Sequence, residues 1–219
     1  MTLKSEIVGL AKATHFGPTV LVVSISFILS FTQLSFSKSI VIALAILAGQ
    51  CVVGWTNDLI DQPRDSAADR QNKPLAIGSV TAKKLQVGIA ISLPVAIVLS
   101  FLGPLGAKGG ALHMLGLGSA TAYNFGLKAT LLSPIPYAIS FGALPCAIYS
   151  AAHKNPPTWL FIDFILMSLA FHFLNVIKDL EWDRSQAVFG LPQRIGKAWS
   201  IVTAALLTIA SVLVFALNR

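Results

Sequence analysis

The chain carries little charge for its length, and this scarcity excludes most classes of soluble protein. Only 11% of its 219 residues are Asp, Glu, Lys or Arg, whereas about 25% is usual for a soluble domain. Acidic residues are the rarer kind, with nine against sixteen lysines and arginines. Apolar runs recur along the whole chain, and the mean hydropathy is +0.74. This composition predicts a membrane protein with several spans and no separate soluble domain.

Cysteine is also scarce, which excludes a disulfide framework and a cysteine metal site. The two cysteines, Cys51 and Cys146, both lie in apolar runs, and their spacing matches neither a disulfide framework nor a metal-ligand motif. The net charge is +7, yet there is no soluble basic module with interleaved aromatic residues, so we expect no nucleic-acid binding. We expect the positive charge at the surface of the lipid bilayer instead, where it meets anionic headgroups or phosphates.

Seven apolar runs reach or approach the length of about 20 residues that a membrane-spanning helix needs. They lie at about 17–36, 38–56, 84–103, 109–127, 130–151, 157–178 and 198–217. The runs are too long and too continuously apolar for barrel strands. We therefore predict an all-α, polytopic transmembrane helix bundle of about seven spans, with residues 1–219 in a single domain. Prolines within the runs predict kinks at Pro94, Pro134, Pro136 and Pro145.

The lysines and arginines are divided unevenly between the two sides of this predicted bundle. If the N-terminus is inside, the inner loops hold twelve of the sixteen. Positive residues concentrate on the cytoplasmic side of membrane proteins, so we expect a cytoplasmic N-terminus. The loops after the second and sixth runs then lie on the cytoplasmic side as well.

Seven of the nine acidic residues lie at those two loops. The stretch "NDLIDQPRDSAADR" (57–70) holds the first cluster: Asp58, Asp61, Asp65 and Asp69. If the helix of the second run continues past Trp55, the first three aspartates share one face, because they are spaced i, i+3 and i+7. Pro63 opposes this continuation, since it removes a backbone donor.

The stretch "NVIKDLEWDR" (175–184) holds the second cluster. On a helix, Asp179 and Asp183 lie on one face with Asn175, whereas Glu181 points away. Crowded carboxylates repel one another unless a cation lies among them. Mg²⁺ suits both clusters, because it prefers oxygen ligands and usually shares its shell with phosphate. We therefore expect Mg²⁺ and a diphosphate here, with basic residues neutralising the remaining phosphate charge: Arg64, Arg70, Lys73, Lys178, Arg184 and Arg194.

Both clusters resemble the paired motifs of the UbiA-type intramembrane prenyltransferases. "NDLIDQPRD" fits NDxxDxxxD, "DLEWD" fits DxxxD, and "DRQNKPLAIGSVT" and "GLPQRIG" are similar to the stretches that follow them. The resemblance runs from about Lys12 to Lys197. It implies a helix bundle around a central cavity, with Mg²⁺ and an isoprenyl diphosphate bound at its cytoplasmic end. Family members ionise the allylic carbon–oxygen bond and let the carbocation attack a lipophilic acceptor, often an aromatic ring.

The resemblance also implies roles for particular residues. The magnesium-diphosphate ligands would be Asn57, Asp58, Asp61, Asp65, Asp179 and Asp183. Arg70 and Lys73 would contact phosphate. "YNFGLK" stands where many members have a Tyr-xxx-Lys pair, but Tyr123 and Lys128 are one residue further apart, so Asn124 and Lys128 are the better-aligned pair. Arg64, Asn175, Lys178 and Arg184 complete the substrate-binding set that we predict.

Several alternatives stay open. The family usually has nine membrane helices, so seven would mean a short branch, a gene fragment, or an oligomer or partner subunit that supplies the rest. Related folds include terpene cyclases and enzymes that transfer a phosphoribosyl group. A cation transporter and a non-enzymatic assembly partner are further alternatives. His172 lies seven residues before Asp179 and either lines a cavity or bonds a neighbouring helix; we expect His15 at the membrane interface.

Overall fold

The computed structural model describes residues 3–68, 70 and 73–218, and in this part of the chain all regular structure is helical. Asp69 of the first acidic cluster lies outside the described residues. The α-helices are α1 (Leu3–Ala13), α2 (Phe16–Phe31), α3 (Phe36–Ala67), α4 (Ala82–Phe101), α5 (Gly106–Asn124), α6 (Ile135–Ala151), α7 (Thr158–Ile177), α8 (Leu180–Ser185) and α9 (Leu191–Leu217). A 3₁₀ helix, Leu127–Ala129, lies between α5 and α6. The all-α prediction is confirmed.

Four of these helices, α3, α4, α7 and α9, are long and apolar enough to cross a membrane. Helices α1 and α2 provide a fifth span if they act as one broken helix, since they are bent by 67°. Helix α6 is apolar but shorter. Every predicted run coincides with a helix, yet the count of seven spans stays a prediction.

Large apolar side chains cover the outside of the long helices, as lipid requires. Ile91 of α4 is 60% exposed, and Leu206 and Val212 of α9 are 62% and 59% exposed. Buried serines satisfy their hydroxyl groups within their own helix: Ser26 donates to the Val22 carbonyl at 2.7 Å and Ser100 to the Ala96 carbonyl at 2.6 Å. Such internal bonds let polar residues lie within helices that have no water to bond.

The chain divides into two compact units, Met1–Ala111 and Leu112–Arg219. In the first unit, α3 packs against α1, α2 and α4. Its buried stripe consists mainly of small residues, among them Ala45, Ala48, Gly49 and Gly54, and it continues into the buried Asp58. Small side chains let helix backbones approach closely where no hydrophobic effect drives them together.

The junction between α1 and α2 packs directly onto α3. A Cβ added at Gly54 would lie 2.6 Å from the backbone of Thr14, so only glycine fits there. One residue further on, the Trp55 indole Nε1 donates to the Leu10 carbonyl at 3.0 Å. The Thr19 hydroxyl donates to the Thr14 carbonyl at 2.7 Å and closes the junction. The junction is therefore held next to the α3 turn that carries Asp58.

The loop that follows α3 is anchored by its apolar residues. Leu75, Val80 and Leu85 form a buried cluster with Ala13, against which Trp55 packs. The Ser79 hydroxyl donates to the Pro74 carbonyl at 3.1 Å. These contacts fix the backbone on the C-terminal side of Lys73.

In the second unit, α7 packs against α6 and α9, and α8 packs against α9. The Ser211 hydroxyl of α9 hydrogen-bonds the carboxylate of Asp163 in α7, so this acid has a partner on the neighbouring helix. Gly196 has φ 86° and interrupts α9 just before the predicted run at 198–217. Pro134 and Pro136 lie at the start of α6 instead of kinking it, which suits their fixed φ and missing N–H.

The close approach at Gly54 yields a stability prediction. In Gly54→Ala the new Cβ meets the Thr14 backbone, which has no flexible end to move away. We expect a loss of about 1–3 kcal/mol, the usual cost of overpacking, measured as a lower Tm in detergent. Gly17→Ala in α2 is the matched control, because a Cβ there has nothing within 4 Å. Equal Tm values for the two variants would contradict the packing argument.

Candidate functional site

The three aspartates of the first motif lie on one buried face at the end of α3. The helix continues past Trp55 and through Pro63 to Ala67, so the conditional prediction of a shared face is confirmed. Asp58, Asp61 and Asp65 are only 3%, 9% and 4% exposed. Pro63 is exposed and removes one intrahelical donor without ending the helix.

Three cations pair with these carboxylates. Lys73 Nζ lies 3.0 Å from Asp58 Oδ1 and 3.6 Å from Asp65 Oδ2, so the ammonium bridges the first and third aspartates. The Arg64 guanidinium pairs with Asp61. Arg70 Nη1 lies 3.7 Å from Asp65 Oδ1. The structure therefore brings together the basic residues that we predicted for this motif, because buried carboxylates are stable only when they are paired.

Two further polar side chains reach the aspartates. Asn57 Nδ2 donates to Asp61 Oδ2 at 3.0 Å, which orients this predicted ligand along the helix. His15 Nε2 lies 3.7 Å from Asp58 Oδ1. His15 has φ 59° and ψ 62°, a left-handed conformation that turns the chain between α1 and α2. Its ring is thus directed to the first motif, beyond the interfacial role that we expected.

The donor set of this motif fits Mg²⁺. Its oxygens are carboxylates and an amide, the hard ligands that Mg²⁺ prefers. Asp58 Oδ2 is buried and has no hydrogen-bond partner among the described residues, so it is a ligand oxygen that the protein itself does not satisfy. Within the same residues no group of three or more acidic, histidine or cysteine side chains is arranged to hold a metal ion by itself. Mg²⁺ does not require such a group, because it is usually held by one or two carboxylates together with phosphate and water.

The second motif lies where α7 gives way to α8. The backbone of Asp179, with φ −110° and ψ 5°, is no longer α-helical, and α8 begins at the next residue, Leu180. The continuous face that we predicted from Asn175 to Asp183 is therefore interrupted, because Lys178 and Asp179 form a turn between two helices. One turn is kept: the Asp183 N–H donates to the Asp179 carbonyl at 2.8 Å.

Gln193, at the start of α9, orients the second motif. Its Nε2 donates to Asp183 Oδ2 at 2.8 Å, and its backbone carbonyl accepts from Arg184 Nε at 2.7 Å. Gln193 is 3% exposed. A Cβ at the preceding Gly190 would lie 2.4 Å from the Lys128 carbonyl, so glycine is needed for this loop to pack. Two predicted residues, Asp183 and Arg184, are thus held by one glutamine.

Aromatic rings surround a fully buried histidine in the second unit. His172 is 0% exposed, and its ring lies 5.9 Å from Tyr123 and 4.7 Å from Tyr137, between ring centroids. His172 Nε2 and the Ser133 hydroxyl are 3.3 Å apart, and that hydroxyl accepts from the Leu191 N–H at 3.1 Å. His172 therefore connects α7 with the start of α9.

The remaining predicted residues of this unit are placed as follows. Asn175 lies in the last turn of α7 and is partly buried, while Lys178 follows the end of α7 and is exposed. Asn124 is buried at the end of α5. Asn124 and Lys128 do not share a continuous helix, because Gly126 has φ 142° and Lys128 lies in the separate 3₁₀ helix. Their pairing stays a prediction.

Comparison with protein families decides the assignment of the fold. The model of the UbiA prenyltransferase family matches residues 16–218. The chain belongs to this family. Together with the apolar helices, membership makes it an integral membrane protein. A comparison with curated proteins gives no significant match.

Solved structures of UbiA homologues share this fold. One from Archaeoglobus fulgidus, bound to GPP and Mg²⁺, superposes with a TM-score of 0.81 at 14% identity, covering 95% of this chain and 76% of that one. A UbiA homologue from Aeropyrum pernix K1 gives 0.70 at 17%, covering 98% and 78%. A digeranylgeranylglyceryl phosphate synthase gives 0.70 at 20%, covering 95% and 76%.

Two residues beside the UbiA-type motifs were not predicted as site residues. His15 precedes Asp58 by more than forty positions, and its only local signal is the break between two helices at "THFGP". Gln193 lies within "GLPQRIG", which the family resemblance marked as a stretch but not as a contact of Asp183. Both depend on contacts between separate helices.

The Gln193 contact yields a second stability prediction. Gln193→Met keeps the side-chain length but removes the donor to Asp183. Hydrogen bonds to charged groups contribute about 1.5–3 kcal/mol. We expect a loss near the low end of this range, because Gln193 Oε1 is itself buried without a partner among the described residues. The measurement is the Tm in detergent.

Gln186→Met is the matched control for this prediction. Among the described residues, the Gln186 side chain makes one hydrogen bond, which its amide donates to the exposed Ser185 hydroxyl at 3.4 Å. We expect its Tm to stay within error of the unmodified protein. A Gln193→Met variant as stable as Gln186→Met would show that the Asp183 contact contributes nothing.

Proposed function

We propose that this chain is a magnesium-dependent intramembrane prenyltransferase that moves an isoprenyl group from its diphosphate to a lipophilic or aromatic acceptor. One observation carries the proposal. Three buried aspartates share a face at the end of α3, they are held by cations, and one carboxylate oxygen has no partner among the described residues. Family membership supports the same reading, since a UbiA homologue of this fold binds GPP and Mg²⁺.

The first motif would bind the magnesium-diphosphate. Asp58, Asp61 and Asp65 are the carboxylates that would hold Mg²⁺, with Asn57 oriented by Asp61 as a further oxygen ligand. When bound, Mg²⁺ supplies positive charge that stabilises the departing diphosphate. Arg70 and Lys73 would donate charge-assisted hydrogen bonds to phosphate oxygens. Both already contact the aspartates that would carry the metal.

The second motif would serve the same reaction. We propose that Asp179 and Asp183 are further ligands of magnesium-diphosphate and that Gln193 positions Asp183. Arg184, whose Nε is taken by the Gln193 carbonyl, and Lys178 would supply charge to the phosphates. We also propose that both motifs lie at the cytoplasmic side, as the distribution of lysine and arginine predicts.

The aromatic cluster in the second unit suits the hydrophobic end of the reaction. Tyr123 and Tyr137 meet edge to face with ring centroids 5.4 Å apart, next to the buried His172. Aromatic ring faces stabilise cations electrostatically. We propose that these rings lie near the allylic carbon and keep water away from the carbocation. The acceptor and the prenyl chain length stay open.

Removing one carboxylate charge from either motif tests the site. In Asp61→Asn and Asp179→Asn we expect activity to fall by about 100-fold or more, because metal-mediated charge stabilisation is worth several kcal/mol. The measurement is Mg²⁺-dependent release of diphosphate by purified protein in nanodiscs. Far-UV circular dichroism and monodisperse elution would confirm that each variant is folded.

Glu181→Gln is the matched control, since Glu181 is an exposed residue of α8 that lies between Asp179 and Asp183 in the sequence. We expect it to retain the activity of the unmodified protein. Normal turnover by Asp61→Asn or Asp179→Asn would refute the assignment of that motif. Equal losses in Glu181→Gln and Asp179→Asn would indicate a general dependence on negative charge in the second motif.

A substrate panel separates prenyl transfer from its alternatives. Geranyl, farnesyl and geranylgeranyl diphosphates are incubated with Mg²⁺ or EDTA, with and without an aromatic acid or quinone precursor. Diphosphate release that requires the acceptor supports transfer. Release with a cyclic hydrocarbon and no acceptor supports a terpene cyclase instead. Binding without any release contradicts an enzymatic role for the isolated chain.

A further inference from the structure

The ammonium of Lys73 occupies the position between two carboxylates where a shared cation would lie. Its Nζ contacts Asp58 Oδ1 at 3.0 Å and Asp65 Oδ2 at 3.6 Å. Its side chain is 15% exposed, less than the 29% of Arg64 and the 21% of Arg70. Lys73 is therefore the most enclosed of the three cations that meet the first motif.

The backbone beside Lys73 is fixed, while its side chain is adaptable. Pro74 and Leu75 are buried, and the Ser79 hydroxyl holds the Pro74 carbonyl. A lysine ammonium lies at the end of a flexible four-carbon chain. The ammonium can therefore exchange one anionic partner for another nearby without movement of the loop.

Charge balance opposes the entry of a metal ion by itself. Among the described residues of this cluster, three aspartates already meet three cations. A divalent cation at Asp58 and Asp65 would displace the Lys73 ammonium and leave it beside the metal and two guanidinium groups. Like charges at such distances repel strongly in a site shielded from water. A diphosphate that arrives with the metal supplies the anionic oxygens that the displaced ammonium needs.

We propose that Lys73 is an internal counter-ion that keeps the metal out of the first motif until diphosphate binds with it. Metal and diphosphate then bind together, and Lys73 moves from Asp58 and Asp65 to the phosphate oxygens. The buried Asp58 Oδ2, which lacks a partner among the described residues, is the ligand oxygen that Lys73 leaves available. The inference rests on the proposed function, since it assigns metal and diphosphate to this motif.

Binding of Mn²⁺, a paramagnetic substitute for Mg²⁺, tests the proposal without catalysis. Electron paramagnetic resonance measures Mn²⁺ affinity in a non-ionic detergent, with and without inorganic diphosphate. In Lys73→Gln we expect Mn²⁺ alone to bind about tenfold more tightly than in the unmodified protein. We also expect the factor by which diphosphate raises the Mn²⁺ affinity to fall about tenfold, a typical size for coupling between ligands. Lys73→Arg, which keeps the charge, should restore the coupling.

Lys84→Gln is the matched control, because Lys84 also pairs with an acid of the first unit, Glu6, away from the motif. It should leave both affinities unchanged. If Lys73→Gln leaves the affinity for Mn²⁺ alone unchanged, or weakens it, Lys73 does not compete with the metal and the inference is wrong. If the unmodified protein binds no Mn²⁺ even with diphosphate, the proposed function itself fails.

A second measurement needs no variant and covers the case in which Lys73→Gln does not fold. The Tm of the unmodified protein is compared with Mn²⁺ alone, diphosphate alone and both together. Ligands that bind the native state raise the Tm, and they raise it more when they bind more tightly. We expect a clear rise only with both ligands. A rise with Mn²⁺ alone that equals the rise with both would overturn the inference.

Discussion

Buried carboxylates pair with cations at the end of α3, and the packing of the first unit holds the segments that carry the partners of these carboxylates. A buried carboxylate without a partner costs several kcal/mol, so Asp58, Asp61 and Asp65 require the cations that surround them. The apolar cluster around Leu75 holds the loop that carries Lys73. The contact between Gly54 and Thr14 holds the junction that carries His15. Packing and charge are therefore coupled at this motif.

The same constraint explains why the chain concentrates its few acids. Within lipid a polar group must find its partner in the protein, and the buried serines do so through their own helix carbonyls. Carboxylates need stronger partners, so they lie where loops can deliver lysine and arginine. Asp163 follows the same rule in another way, because it takes a hydroxyl from α9.

The second motif is supported differently from the first. Its carboxylates lie at a turn between two helices, and a buried amide, Gln193, holds Asp183. His172 and Ser133 connect the same region to the N–H of Leu191 through hydrogen bonds. Because an amide carries no charge, Gln193 orients Asp183 without neutralising its negative charge. The two motifs thus combine similar residues with different supports.

Local spacing was a sufficient guide wherever the helix is continuous. The sequence alone determined the positions of the apolar helices and the shared face of Asp58, Asp61 and Asp65, because hydropathy and the 3.6-residue period are local properties. The same reasoning missed the break that Gly126 makes in the helix between Asn124 and Lys128, and the turn of the chain at Asp179. Only the tertiary structure decided that His15, Lys73 and Gln193 meet the aspartates, because those contacts depend on how separate helices and loops pack.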